Sequence, residues 1–196
     1  MRKCSTAFAR LRFRKNIDRN ITIVLAIFGI LLLLLLISPY LVPPGKFQDL
    51  SGKVLSMDNQ GQFSGINPVA WAVYSFGDFN CHQLKDRSFF LNDNEMPMCS
   101  RDTGAFMGLF VGALLMSAFS LTIKKRYLAI GLLPMIADGA LQAVTPYQSD
   151  NSIRVVTGLL AGVAVVVFIS LMVAMPVEEN GSQGAAITSS EDQKTP

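Results

Sequence analysis

The chain has 196 residues, of which 51% are hydrophobic and 16% are charged, and its formal net charge is +3. This composition is typical of a membrane protein and leaves little sequence for a soluble core. The excess positive charge lies next to an apolar segment and lacks interleaved aromatic residues. It therefore favours an orienting role at a membrane over nucleic-acid binding.

Four apolar segments follow one another along the chain. A helix needs about 20 residues to cross the hydrocarbon core of a bilayer, and each segment is close to that length. The pattern predicts an all-α membrane protein with four transmembrane helices. The predicted spans are residues 21–42, 105–123, 127–146 and 154–177.

Basic residues beside the spans predict the orientation. Residues 1–20 hold seven basic residues against one acidic residue, and Lys124-Lys125-Arg126 separates the second span from the third. Both belong on the cytoplasmic side by the positive-inside rule. We therefore expect a multi-pass protein of the cell membrane, surrounded by lipid, with both termini in the cytoplasm. Residues 178–196 are polar without an apolar period and predict a disordered cytoplasmic tail.

The large loop of residues 43–103 is then extracytoplasmic. Its first part is polar and turn-rich, which predicts irregular structure or a short hairpin. Asn67 followed by Pro68 is typical of a helix start, with Asn as the cap and Pro at the first helical position. The helix predicted over 67–79 is too short to span a membrane, so we expect it to be interfacial or re-entrant. It contains the aromatic residues Trp71, Tyr74 and Phe76.

Glycines recur every fourth residue in the second and fourth spans. This spacing places small residues on one face of a helix and allows a neighbouring backbone to approach closely. The partner can be another helix of this chain or another membrane subunit. The glycines are Gly104, Gly108 and Gly112 in the second span, and Gly158 and Gly162 in the fourth.

One acidic residue, Asp138, lies inside the third span. An ionisable group at membrane depth costs about 2.5–3.5 kcal/mol on insertion scales, so it normally faces a cavity or a partner. Arg154, at the outer start of the fourth span, is the predicted partner, and Arg101 is the competitor. The pair is either structural or part of a reactive site. The candidate catalytic residues are accordingly Asp138, Arg101 and His82.

Two cysteines lie in the extracytoplasmic loop, where disulfides persist. A Cys81–Cys99 bond would close a loop of 19 residues, worth about 3 kcal/mol on the chain-entropy model. The alternative is a zinc site formed by Cys81, His82, Cys99 and Asp102, since thiolate, imidazole and carboxylate can together make a tetrahedral shell. The sequence leaves both alternatives open.

Residues 74–162 resemble the domain-of-unknown-function 2085 family of archaeal and bacterial membrane proteins. In that family a Cys-x-Arg-Cys-Thr-Gly element precedes a span, and its second cysteine is replaced here by Asp102. The resemblance implies a shared fold and a shared site, without naming a substrate. The matching elements are Cys81-His82-Gln83, Arg87-Ser88-Phe89-Phe90, Cys99 to Gly104, and Asp138-Gly139.

Several enzyme classes can be excluded from motifs. The sequence has no phosphate-binding glycine-rich loop and no G-x-S-x-G element, and a single histidine rules out H-E-x-x-H. Two functions stay open. One is a metal-dependent protein that acts on a lipid or another amphiphile. The other is a non-catalytic accessory subunit of a larger membrane complex, with a Cys81–Cys99 disulfide.

Overall fold

A computed structural model describes residues 10–13, 19–122 and 128–173. The predictions for most of the basic N-terminus, for the Lys124–Arg126 turn and for the tail at 178–196 lie outside these residues. The described part is mostly helical. Its helices are α1 (Arg19–Ile37), α2 (Pro68–Asn80), α3 (Ser100–Ala118), α4 (Leu128–Val144) and α5 (Asn151–Val173), and its strands are β1 (Arg10–Phe13), β2 (Ser88–Leu91), β3 (Asn94–Cys99) and β4 (Phe119–Thr122). Short 3-10 helices occupy Ser38–Leu41 and Lys85–Arg87.

Two helical segments are long and apolar enough to cross a membrane, Arg19–Leu41 and Asn151–Ser170, and the apolar helix at Ala129–Val144 is shorter. The predicted span at 105–123 is not helical throughout, because α3 ends at Ala118 and the next four residues form β4. Strand β4 pairs antiparallel with β1. Its sequence, Phe-Ser-Leu-Thr, alternates apolar and polar residues with the period of a strand. Within the described residues, the prediction of an all-α chain with four spans is therefore too strong.

Helices α3 and α5 pack backbone to backbone along their glycine faces. A Cβ atom placed on Gly108 would lie 2.2 Å from the carbonyl oxygen of Leu159, and one on Gly158 would lie 2.1 Å from that of Arg101. Contact this close is possible only without a side chain. The glycine faces predicted from the spacing thus meet each other inside the chain. Toward the C-terminal ends of α3 and α5, helix α1 packs against both of them. The buried cluster there consists of Ile21, Ala113, Met116, Val166 and Val167.

Residues 42–99, here called the outer module, form a second core. The Phe47 ring lies 4.6 Å from the Tyr74 ring and 5.5 Å from the Phe63 ring, measured between centroids. The irregular structure expected over the first part of this region is confirmed, since residues 45–65 form turns and bends without a helix or strand. Aromatic residues far apart in sequence nevertheless pack together there. The core consists of Val42, Phe47, Leu50, Phe63, Ala70 and Tyr74.

Helix α2 lies on the surface of the outer module. The Asn67 side chain accepts a hydrogen bond from the Val69 N–H, which is the cap that the Asn-Pro pair predicts. Tyr74 is fully buried and its hydroxyl donates to the Glu95 carbonyl at 2.8 Å. Trp71 and Phe76 are 47% and 50% exposed. Phe79, near the end of α2, is 41% exposed. Trp71, Phe76 and Phe79 are thus the aromatic side chains of α2 that are available for an interfacial role.

A hairpin that the sequence analysis missed leads from the outer module into the bundle. Strands β2 and β3 pair antiparallel around Asn92 and Asp93, whose φ angles are 53° and 56°. Two successive positive φ angles are typical of a type I′ turn, and Asn and Asp tolerate them. Strand β3 ends at Cys99 and α3 begins at Ser100. The hairpin therefore places Cys99 at the head of a bundle helix.

Candidate metal centre

Three potential ligands converge where the outer module meets the bundle. Cys81 follows the last residue of α2, Cys99 ends β3, and Asp102 lies in the first turn of α3. Their ligand atoms, two sulfurs and a carboxylate oxygen, all lie within 4.8 Å of one another. Three separate elements thus bring one cluster together, here called the thiol cluster.

Hydrogen bonds connect the members of the thiol cluster. The backbone N–H of Cys99 donates to Cys81 Sγ at 3.4 Å, and the Cys99 thiol donates to Asp102 Oδ2 at 3.2 Å. The interaction with Cys99, and then burial, raise the pKa of the Cys81 thiol, whereas the same interaction lowers the pKa of Cys99. Cys99 is therefore the thiol that ionises more readily. Both thiols are free, so the structure contains no Cys81–Cys99 disulfide.

His82 does not join the thiol cluster. The Cys81 backbone is extended, with φ −134° and ψ 147°, and successive side chains of an extended chain point in opposite directions. His82 is exposed, and its Nδ1 lies 3.2 Å from the carbonyl oxygen of Gly52. The predicted four-ligand set is therefore reduced here to Cys81, Cys99 and Asp102.

The donor set of the thiol cluster suits zinc. Zinc binds thiolate and carboxylate ligands, and with Zn–S bonds of about 2.3 Å two sulfurs of a tetrahedral site lie about 3.8 Å apart. Ligand atoms within 4.8 Å of one another need only small movements to reach that geometry. Three protein ligands would leave a fourth position open, which is the arrangement of catalytic rather than structural zinc sites.

A cavity of about 220 Å³ opens beside the thiol cluster. Besides all three members of the cluster, its wall includes His82 and the side chains of Arg87, Arg101 and Arg154. Two sulfurs, a carboxylate and three guanidinium groups therefore face the same small space. The three arginines outnumber the one carboxylate in the cavity wall, so a negatively charged molecule can approach the cluster here.

The ion pair at membrane depth differs from the predicted one. Asp138 pairs with Arg101, and its Oδ2 also accepts hydrogen bonds from Gln142 Nε2 at 2.8 Å and from the Ser149 hydroxyl at 3.3 Å. Arg154 donates instead to Ser149 Oγ at 3.0 Å and to Gln142 Oε1 at 3.2 Å. The predicted Asp138–Arg154 pair is thus replaced by the competing Arg101 pair, because Gln142 and Ser149 lie between those two side chains.

This network connects three helices, since Arg101 belongs to α3, Asp138 to α4 and Arg154 to α5. Asp138 is 6% exposed, and it is connected to the cavity wall directly through Arg101 and, by way of Ser149, through Arg154. Its geometry is that of a group that positions Arg101. Of the predicted catalytic candidates, Arg101 and His82 themselves line the cavity.

Sequence comparisons identify relatives of the region that carries the thiol cluster. A family model described as "Predicted membrane protein (DUF2085)" matches residues 81–168. An uncharacterized protein of Methanocaldococcus jannaschii is 36% identical over 110 residues, which cover 53% of this chain and 68% of that protein. An uncharacterized protein of Methanothermobacter thermautotrophicus is 30% identical over 99 residues, or 47% of this chain and 86% of that protein. No solved structure matches the chain. The chain belongs to the DUF2085 family of predicted membrane proteins.

Proposed function

We propose that this membrane protein binds a zinc-class divalent ion between Cys81, Cys99 and Asp102, and that the site acts on a lipid or another amphiphile. The observation that supports the proposal is the convergence of two sulfurs and a carboxylate oxygen within 4.8 Å. A zinc ion with an open fourth position supplies Lewis-acid chemistry toward a carbonyl or phosphoryl oxygen, or toward a bound water.

The surrounding residues have defined parts in this proposal. The Cys99 N–H stabilises the sulfur of Cys81 by a hydrogen bond. Arg101 lines the cavity and is held in place by Asp138. A guanidinium in that position stabilises negative charge that develops beside the cluster. Asp138 acts in this scheme as a positioning residue, and Arg101 as the group that meets the substrate.

The proposal includes four membrane crossings, by α1, α3, α4 and α5, with both termini in the cytoplasm. Hydrogen bonds that join Ser100 to Asn151 and Gln142 to Ser149 show that α3 begins, α4 ends and α5 begins at the same end of the bundle. Helix α1 also ends beside the outer module. Four alternating crossings would give this arrangement, with the outer module on the extracytoplasmic side.

The test is the metal content of full-length protein purified in detergent under reducing conditions. We expect stoichiometric zinc in the wild type, and loss of zinc in Cys81→Ser, Cys99→Ser and Asp102→Asn. Cys4→Ser is the matched control, because it removes a thiol that is not one of the three proposed ligands and should leave the zinc content unchanged. Equal zinc in all of these variants would refute the assignment of the ligands.

The alternative function is that of a non-catalytic accessory subunit with a Cys81–Cys99 disulfide. The closeness of the two sulfurs favours it. The glycine faces no longer support it, because they are already occupied by each other within this chain. The alternative predicts a protein without zinc, a mass lowered by two hydrogens under non-reducing conditions, and co-purification with other membrane subunits.

A further inference from the structure

We propose that Arg87 and Arg154 bind a phosphate-type oxyanion next to the thiol cluster. The role of this site rests on the proposed function, in which the two arginines hold the polar part of the substrate. The binding itself does not require a metal, so it can be tested separately.

The two arginines lie where two cavities adjoin. A second cavity of about 610 Å³ lies beside the one at the thiol cluster, and both Arg87 and Arg154 belong to the walls of both. The second cavity is also lined by Lys85 and by the hydroxyls of Ser51 and Ser149. A molecule in the larger cavity can therefore contact both guanidinium groups while its reactive part approaches the cluster.

Arg154 is a buried cation without a direct ion pair. Asp138, which it reaches only through Ser149 and Gln142, is already paired with Arg101. Arg154 is 3% exposed, and none of the described carboxylates forms an ion pair with it. Its hydrogen bonds to Ser149 and Gln142 use two of the five N–H groups of a guanidinium. The other N–H groups have no protein acceptor in the described part of the chain. An unpaired charge near a membrane span is costly, and an anion in the cavity would compensate it.

The neighbouring charges leave the cavity wall positive. Arg87 is half-buried and donates to Gln148 Oε1 at 2.8 Å, again without an ion pair among the described residues. Two acidic residues, Asp49 and Asp86, also line the larger cavity. Both are exposed to solvent, and Lys85 in the same wall offsets part of their charge. The two guanidinium groups are the deeper pair and therefore determine what binds there.

A tetrahedral oxyanion with two charges fits this arrangement best. The planar fork of arginine pairs with two oxygens of one phosphate, and two such forks match a phosphate monoester better than a single carboxylate. The Ser51 hydroxyl can donate to a remaining oxygen, whereas the single hydroxyl proton of Ser149 is already donated to Asp138. A lipid headgroup and a water-soluble phosphate ester share this chemistry.

The experiment uses full-length protein in detergent after removal of metal with a chelator, and measures the binding of inorganic phosphate by calorimetry. Arg154→Gln and Arg87→Gln should each weaken binding at least about tenfold, since each removes charged hydrogen bonds. Lys53→Gln is the matched control, because Lys53 is exposed and lines neither cavity. Its affinity should equal that of the wild type.

Dihexanoyl phosphatidic acid, a soluble short-chain lipid, identifies the source of the phosphate. Tighter binding than that of inorganic phosphate indicates a lipid headgroup, and equal binding indicates a soluble phosphate ester. Failure of the wild type to bind either probe, or equal binding by the wild type, Arg87→Gln and Lys53→Gln, overturns the proposal. Arg87 is not deeply buried, so its variant decides the question even if Arg154→Gln does not fold. Phosphate binding without any zinc site would refute the proposed function and leave the anion site standing.

Discussion

Replacing Gly108 by alanine tests the closest contact in the helix bundle. The added Cβ would lie 2.2 Å from the Leu159 carbonyl oxygen, against 3.4 Å for an ordinary contact, so the two backbones would have to separate by about 1.2 Å. The obstacle is backbone and cannot move aside by a rotamer change. Overpacking costs about 1–3 kcal/mol, and a clash with backbone that cannot move aside belongs to the upper part of that range, about 2–3 kcal/mol. The better helix propensity of alanine returns about 1 kcal/mol.

We therefore expect Gly108→Ala to lower the free energy of unfolding by about 1–2 kcal/mol, measured by equilibrium unfolding in detergent. Gly61→Ala is the control, since no atom lies within 4 Å of its added Cβ. If Gly108→Ala is as stable as Gly61→Ala, then the glycine contact between α3 and α5 does not exist in the membrane-embedded protein.

Three further predictions concern the polar groups. Asp138→Ala should lower the free energy of unfolding by about 3–5 kcal/mol because it leaves Arg101 unpaired. Asp138→Asn should lower it by less, and equal unfolding free energies for the two variants would refute the ion pair. Burial raises the pKa of Glu95 above its usual 4.5, so its contribution to stability is present below about pH 4.5 and is lost as the pH rises through the raised value. Glu95→Gln retains an acceptor for the Leu50 N–H and should remove this pH dependence from the free energy of unfolding. A variant whose unfolding free energy changes with pH as in the wild type would show that Glu95 is not the group responsible. A cysteine-accessibility scan should place residues 46–100 outside the cell and both termini in the cytoplasm, and external labelling of the N-terminus would reverse the orientation.

Local patterns predicted the features that depend on neighbouring residues. The glycine faces of α3 and α5 follow from a spacing of four residues and helix geometry, whereas their contact with each other is visible only in the structure. The Asn67 cap is likewise a short-range property. The Asn92-Asp93 turn could have been found in the same way, because two residues that tolerate positive φ separate two strand-like segments.

The outer module was not predictable because its core is built from isolated apolar residues. Phe47 and Phe63 each stand in a polar, turn-rich sequence, and only the folded chain brings them against Tyr74. The partner of Asp138 was misassigned for a related reason, since sequence position alone cannot rank two arginines on different helices. His82 is a predicted ligand that the structure leaves out of the thiol cluster, because the extended backbone at Cys81 turns the next side chain away.

The direct passage from β3 into α3 has a mechanical consequence. No loop separates Cys99 from Ser100, and a Cβ on Gly77 of α2 would lie 1.8 Å from the Pro97 carbonyl oxygen, so α2 is pressed against the strand. A hinge needs residues that can change their backbone angles freely, and this junction offers none. A force applied to the outer module is therefore transmitted along the axis of α3 and, through the glycine contact, to α5. A spectroscopic probe on the exposed Leu55 turn would consequently report the tilt of α3 and α5.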